Sequence, residues 1–218
     1  MGRIMEAVFC IAYLLGTGVL GAVILKTWEG NKQRLHFGIL TLVLVCGDAF
    51  HLVPRIYGAF TGTLDDMYAA LGFGTLVTSI TMTVFYVLLW EFWRKQSDKP
   101  RGISVVFVYG FAACRIALCL FPQNNWLSAN APLSWGIYRN IPFVMLGGIV
   151  AYQFFIGREA EKQFKYAWLA VMLSFLFYLP VVLFANIVPV IGMMMIPKTA
   201  CYVWLIVMGC KMTTNRKS

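Results

Sequence analysis

Charged residues are scarce in this chain of 218 residues, where Asp, Glu, Lys and Arg together make up only 12%. A soluble domain carries about 25% charged residues, and roughly 45–50% of its residues are apolar. Here the hydrophobic residues reach 60%. This composition excludes a soluble enzyme, a nucleic-acid-binding protein and a disordered chain. It is typical of a helical membrane protein that crosses the lipid several times.

Histidine and paired cysteines are also lacking. His36 and His51 are too few for a multi-histidine metal centre. The six cysteines lie within or at the ends of apolar stretches, and no C-x-x-C pair occurs. We therefore expect packing roles for the cysteines, with no disulfide, no metal site and no bound cofactor.

Long apolar runs dominate what remains. A helix needs about 20 mostly apolar residues to cross the hydrocarbon core, and the strand alternation of a membrane barrel is absent. We predict one all-α domain over residues 1–218, an integral membrane bundle of seven transmembrane helices. The predicted spans are residues 7–25, 36–57, 67–90, 103–121, 135–156, 166–186 and 190–210.

The basic residues alternate between connections and so predict an orientation. Connections 26–35, 91–102 and 157–165, with the tail after residue 210, carry 13 of the 18 Lys and Arg residues. The other connections carry none. Because basic loops stay in the cytoplasm, we predict an outside N-terminus, a cytoplasmic C-terminus and a location in the plasma membrane. Membrane lipids are then obligatory partners; the oligomeric state is left open.

Short matches between the two halves suggest an internal repeat. Residues 50–54, Phe-His-Leu-Val-Pro, parallel residues 177–180, Phe-Tyr-Leu-Pro. The Leu-Gly pair at 71–72 parallels the Ile-Gly pair at 191–192. Both matches run in the same direction, which predicts a parallel repeat in a 3+1+3 arrangement.

Four cations fall inside the spans, toward the outer boundary: Arg55, Arg115, Arg139 and Lys198. A charged side chain at mid-bilayer costs about 2.5–3.5 kcal/mol on the insertion scale, so such residues face a wet cavity or a partner. Arg55 and Arg139 are close enough to helix ends to extend to the headgroups instead. For the deeper Arg115 and Lys198 we predict a pocket between spans 2, 4, 5 and 7.

Span 2 contributes a polar stripe to this prediction. Asp48, His51 and Arg55 fall within roughly 60° of one another on one helix face. The stripe has two interpretations. Asp48 and Arg55 form a packing ion pair, or the stripe lines a cavity in which His51 exchanges protons.

Helix breaks in other spans complete the candidate ligand site. Asn140 follows Arg139 just before Pro142, and Tyr178 precedes Pro180. Broken helices that face charged groups are typical of transporter binding sites. The predicted ligand-binding residues are Asp48, His51, Arg55, Arg115, Arg139, Asn140, Tyr178 and Lys198.

These observations favour a protein that binds or transports a small anionic or zwitterionic ligand. An intramembrane enzyme that acts on a lipid is the first alternative. In it, Asp48 orients His51 as general base and Arg115 or Lys198 holds a headgroup phosphate.

A seven-helix sensor is the second alternative. Seven spans with an outside N-terminus are similar in architecture to opsins and receptor proteins, and Lys198 invites comparison with a retinal lysine. Met194 stands where microbial opsins carry an Asp, and the receptor-type Asn-Pro-x-x-Tyr is missing. The resemblance therefore concerns architecture only.

Overall fold

All regular elements that the structure describes are helices. The structure, a computed structural model, describes residues 2–96, 102–159, 162–185 and 187–212. The long helices are α1 (Gly2–Lys26), α2 (Lys32–Thr61), α3 (Tyr68–Gln96), α4 (Ile103–Leu120), α5 (Leu133–Ile156), α6 (Ala167–Phe184) and α7 (Met195–Cys210). Short 3-10 turns lie at Leu64–Asp66, Pro122–Asn124, Lys162–Phe164 and Pro189–Met194.

The seven predicted spans are confirmed as seven helical segments long and apolar enough to cross a membrane. The protein is therefore a multi-pass helical membrane protein. The seventh segment, Val190–Cys210, has the predicted bounds, and within it a 3-10 turn precedes α7, which begins at Met195. Val188 has an extended backbone, so α6 and the seventh segment are not one continuous helix. Position 186, the predicted end of span 6, lies outside the described residues.

The helices pack in chain order, with α3 displaced toward the interior. Each helix contacts the next, and α1 packs against α7, which closes the ring. Helix α3 also contacts α5, and its Tyr86 reaches Ser174 of α6 and Tyr202 of α7. Tyr86 is fully buried. Helix α3 therefore occupies the interior of the bundle.

The two ends of the bundle differ in character. The N-terminal end, as we call it, holds the starts of α1, α3, α5 and α7 together with the ends of α2, α4 and α6. Arg3 binds Asp65 there at 3.2 Å, which ties the start of α1 to the turn before α3. The opposite end contains a dense aromatic core that includes Phe37, Trp93 and Phe164. Aromatic side chains therefore fill much of the described part of this end.

Nine of the thirteen basic residues used to predict the orientation are described, and they lie at the opposite end. Arg34 is an example, since its guanidinium donates to the Met212 carbonyl oxygen and to the Thr27 hydroxyl. Two sets lie outside the described residues: Lys99 with Arg101, and Arg216 with Lys217.

Candidate functional site

A cavity of about 340 Å³ lies in the N-terminal half of the bundle. Helices α1, α2, α6 and α7 form its walls, with one side chain from α3. Its volume falls within the range of roughly 300–1,000 Å³ that is usual for small-molecule sites. Apolar residues supply much of the lining, and five acidic or basic side chains also face the cavity: Glu6, Asp48, His51, Arg55 and Lys198.

Helix α2 contributes the polar stripe predicted from its spacing. Asp48, His51 and Arg55 all line the cavity, as residues at i, i+3 and i+7 on one helix face should. Pro54 lies within the helix, next to Arg55, and α2 continues to Thr61. The common face is therefore as the sequence predicts.

The partners of Asp48 and Arg55 come from α1 and not from within the stripe. Arg55 binds Glu6 through Nε at 2.9 Å and through Nη2 at 2.7 Å. The Tyr13 hydroxyl donates to Asp48 Oδ2 at 2.7 Å. The interpretation in which Asp48 and Arg55 form a packing ion pair is therefore wrong, because α1 lies close enough to supply a separate partner for each.

Sequence reasoning missed the contribution of α1 to the site. Glu6, Cys10 and Tyr13 follow one another at spacings of four and three, and all three line the cavity. This spacing places them on one face of a helix. The same test that found the α2 stripe would have found this second stripe.

His51 is held by α3. Its Nδ1 lies 3.2 Å from the Leu71 carbonyl oxygen and 3.1 Å from the Thr75 hydroxyl. A Cβ atom on Gly74 would collide with the backbone of His51, so the glycine permits this close approach. Asp48 bonds to Tyr13 and does not orient the ring. The Asp–His contact on which the enzyme alternative depends is not formed.

Lys198 lies in the first turns of α7 and is only 8% exposed. Its Nζ is 4.2 Å from the centroid of the Tyr178 ring and 5.7 Å from that of Tyr202. Within the described residues, no hydrogen-bond acceptor or carboxylate partner contacts this ammonium. Aromatic faces stabilise a desolvated cation by about 2 kcal/mol, and all three N–H donors remain available to a ligand.

The remaining polar groups around Lys198 have partners inside the protein. The Thr78 hydroxyl donates to the Gly47 carbonyl oxygen at 3.0 Å. The Thr199 hydroxyl donates to the Met195 carbonyl oxygen at 2.8 Å. The Tyr202 hydroxyl lies 3.4 Å from the Tyr86 hydroxyl. Lys198 therefore differs from its polar neighbours in having no such partner.

Arg115 belongs to a second cluster, between α4, α5 and α6. Its Nη1 donates to Asn140 Oδ1 at 3.1 Å, and the Tyr178 hydroxyl donates to the same oxygen at 2.8 Å. The guanidinium lies 3.5 Å from the centroid of the Phe143 ring. Asn140 itself donates to the Gly136 carbonyl oxygen. This cluster satisfies a buried cation with neutral groups.

Arg139 lies at the N-terminal end, over the connection between α4 and α5. Its guanidinium is 4.3 Å from the centroid of the Trp126 ring, and its Nη1 donates to Asn124 Oδ1 at 2.9 Å. Asn124 in turn donates to the Leu118 carbonyl oxygen, which fastens the loop to the end of α4. Arg139 therefore orders a loop and does not line the cavity.

The prediction of one pocket between spans 2, 4, 5 and 7 does not hold. Arg115, Arg139 and Asn140 are absent from the cavity lining, because α4 and α5 pack beside α3, away from α1 and α2. Tyr178 connects the two regions, since its ring contacts Lys198 and its hydroxyl binds Asn140. Of the eight predicted residues, four line the cavity: Asp48, His51, Arg55 and Lys198.

A smaller cavity of about 220 Å³ lies between α5 and α6. Asn140 is its one polar lining residue, among apolar side chains such as Ile141, Val144, Leu179 and Leu183. Asn140 already donates to a carbonyl and accepts two hydrogen bonds. One N–H of the Asn140 amide is therefore the most that this cavity offers to a polar ligand.

Aromatic side chains separate the larger cavity from the opposite end. The Tyr86 hydroxyl lies 3.2 Å from the Ser174 hydroxyl, and its ring packs edge-on against Phe85 and Phe143. Phe175 packs on the same ring. The larger cavity therefore borders an aromatic layer around Tyr86.

Comparison with known protein families, with curated proteins and with solved structures finds no match to this chain.

Proposed function

We propose that this protein binds a small anionic or zwitterionic ligand in the larger cavity and transports it across the membrane. The observation that supports the proposal is Lys198, a nine-tenths buried ammonium that lines the cavity without a hydrogen-bond acceptor among the described residues. An intramembrane cation is expensive and typically marks a substrate or ion pathway. An anionic group on a ligand would supply the missing acceptors.

The proposal includes an orientation and a membrane. The N-terminal end faces the outside of the plasma membrane, because the basic residues concentrate at the opposite end. The ligand then enters from outside and stops at the aromatic layer around Tyr86. A 3+1+3 parallel repeat would let one half move against the other to open that layer, as rocking repeats do in other transporters.

Replacement of the buried lysine tests the binding step. Purified protein in nanodiscs is heated with acetate, lactate, phosphate or L-alanine, and the unfolding midpoint is measured. A probe at 100 times its Kd stabilises the folded state by about 2.7 kcal/mol. We expect a bound probe to raise the unfolding midpoint of the unmutated protein. In Lys198→Met we expect no such rise in the midpoint.

Lys211→Met is the matched control, because Lys211 follows α7 and is exposed. It should keep the full shift. Equal shifts in Lys198→Met and the unmutated protein would overturn the proposal. Uptake of the same probe into proteoliposomes tests transport separately, and binding without uptake would reduce the function to ligand binding.

A further inference from the structure

The charges that line the larger cavity are not all available to a ligand. Glu6 and Arg55 neutralise each other through an ion pair of 2.7 Å between α1 and α2. His51 is held through Nδ1 by a carbonyl oxygen and a hydroxyl of α3. Asp48 on α2 and Lys198 on α7 then remain as one carboxylate and one ammonium. No ion pair joins these two in the part of the chain that the structure describes. The cavity therefore presents two separate, opposite charges.

Each of these two groups has unused hydrogen-bonding capacity. Asp48 accepts one hydrogen bond, from Tyr13 to Oδ2, and Oδ1 has no donor among the described residues. A carboxylate can accept about four hydrogen bonds. Lys198 rests on aromatic rings and keeps three N–H donors. An acceptor and a donor set thus face the same enclosed space from different helices.

A ligand with a single charge fits this arrangement poorly. A monoanion would bind Lys198 but would be repelled by Asp48. A monocation would bind Asp48 but would be repelled by Lys198. A ligand that carries both charges would satisfy both groups and would keep the cavity neutral. Opposite repulsions of this kind give specificity, because each excludes one class of competitor.

We propose that the cavity recognises a small zwitterion, with Lys198 binding its anionic group and Asp48 binding its ammonium group. This inference rests on the proposed function, because it names the class of ligand for the same cavity. Apolar lining from Phe9, Leu52 and Val181 fits an aliphatic portion of the ligand. A free aliphatic amino acid and the headgroup of an ethanolamine phospholipid share this chemistry.

Three compounds of the same shape test the inference on the unmutated protein. L-leucine carries both charges, 4-methylpentanoate lacks the ammonium, and 3-methylbutylamine lacks the carboxylate. Binding to the full chain in nanodiscs is measured by calorimetry. We expect L-leucine to bind more tightly than either analogue, by about tenfold or more.

Two variants assign the charges. Asp48→Asn should weaken the binding of L-leucine until it is no tighter than that of 4-methylpentanoate. Lys198→Met should abolish the binding of 4-methylpentanoate. Tyr13→Phe is the milder change, because it removes only the hydroxyl that holds Asp48. Tyr13→Phe should weaken the binding of L-leucine more than that of 4-methylpentanoate. This variant can replace Asp48→Asn in the test if Asp48→Asn does not fold.

A lipid arm distinguishes the two sources of the zwitterion. The protein is extracted from nanodiscs of phosphatidylethanolamine or of phosphatidylglycerol, and the retained lipid is measured. Selective, Lys198-dependent retention of phosphatidylethanolamine would support the inference with a lipid headgroup as the ligand.

The two proposals can fail separately. Tight binding of 4-methylpentanoate, equal to that of L-leucine and unchanged in Asp48→Asn, would overturn the zwitterion inference and leave the proposed function intact. Failure of both compounds and both lipids to show any dependence on Lys198 would overturn the zwitterion inference and remove the support for the proposed function.

Discussion

Arg115 shows how a buried cation is accommodated without an acid. It is 2% exposed, and none of the carboxylates in the described ranges contacts it. Asn140 Oδ1, the Arg139 carbonyl oxygen and the Ser79 carbonyl oxygen lie within 3.1–3.5 Å of its nitrogens. Asn140 is the shortest of these contacts and also accepts from Tyr178. Its amide oxygen therefore accepts from two donors, the buried Arg115 and the half-buried Tyr178.

Replacement of Asn140 by alanine should destabilise the protein strongly. The buried Arg115 Nη1 and the half-buried Tyr178 hydroxyl would each lose an acceptor, at about 1–3 kcal/mol for a buried donor. We expect a loss of about 3 kcal/mol in the free energy of unfolding, measured by titration with denaturing detergent. Asn140→Asp, which keeps an acceptor, should lose less, and Ser134→Ala at an exposed position should change little. Equal stability of Asn140→Ala and Ser134→Ala would contradict this account.

For single residues, the sequence predicted the depth of a side chain in the bundle better than its hydrogen-bond or ion-pair partner. The depth of Arg115 and Lys198 follows from their distance to the span ends, and both are buried. The pairing of Arg55 with Glu6 was not predicted, because spacing within α2 does not show which face of α1 lies opposite. The acceptor role of Asn140 likewise depends on the packing of α4 against α5.

At the scale of elements, the approach of α2 to α3 depends on glycine. A Cβ atom at position 74 would collide with the backbone of His51 on α2. On the same helix, a Cβ atom at position 72 would collide with the Trp126 carbonyl oxygen, in the connection between α4 and α5. Backbone atoms cannot move aside as the end of a flexible side chain can. Small residues at membrane helix contacts allow such close packing.

Gly74→Ala should therefore separate α2 from α3 and displace His51. We expect a loss of about 1–3 kcal/mol in the free energy of unfolding, which is the usual cost of overpacking. Gly110→Ala is the matched control on α4, because a Cβ atom there meets nothing within 4 Å. It should be neutral or stabilising by up to about 1 kcal/mol. Detergent denaturation of both variants measures the difference, and equal losses would contradict the role assigned to Gly74.

The sequence predicted the helices themselves well. Length and hydropathy suffice for seven spans, because lipid demands that each backbone polar group be satisfied within its own helix. The bounds of the seventh span are as predicted, but hydropathy does not distinguish the 3-10 turn over Pro189–Met194 from the α-helix that begins at Met195.

At the scale of the whole molecule, the orientation in the membrane stays a prediction from charge. Alkaline phosphatase is active only outside the cytoplasmic membrane, so its fusions report sidedness. A fusion after Ser128, in the connection between α4 and α5, should be active, and a fusion after Lys95 should be inactive. Replacement of the basic residues in connection 91–102 by Gln should weaken this difference, because basic loops set the orientation. The reverse pattern of activity would contradict an outside N-terminus.

The arrangement of the helices was the least predictable feature. Four cations at one level suggested one pocket, and the structure divides them between a cavity, a buried cluster and a loop. The reason is that α3 lies between α2 and α4 and also contacts α5, so that α4 and α5 pack on α3 and not on α1 or α2. A sequence pattern places residues along each helix, but the order of helices around a centre depends on contacts between distant segments.

Tyr178 gives the cavity and the buried cluster one side chain in common. Its ring faces Lys198 while its hydroxyl binds Asn140, so both ends respond to one torsion. A ligand that changes the position of the ring changes the free energy of the Arg115 cluster. Thermodynamic linkage makes this coupling reciprocal. If a ligand shifts the Tyr178 ring, the hydrogen bond at Asn140 and the affinity for that ligand are coupled, and each changes the other by the same factor.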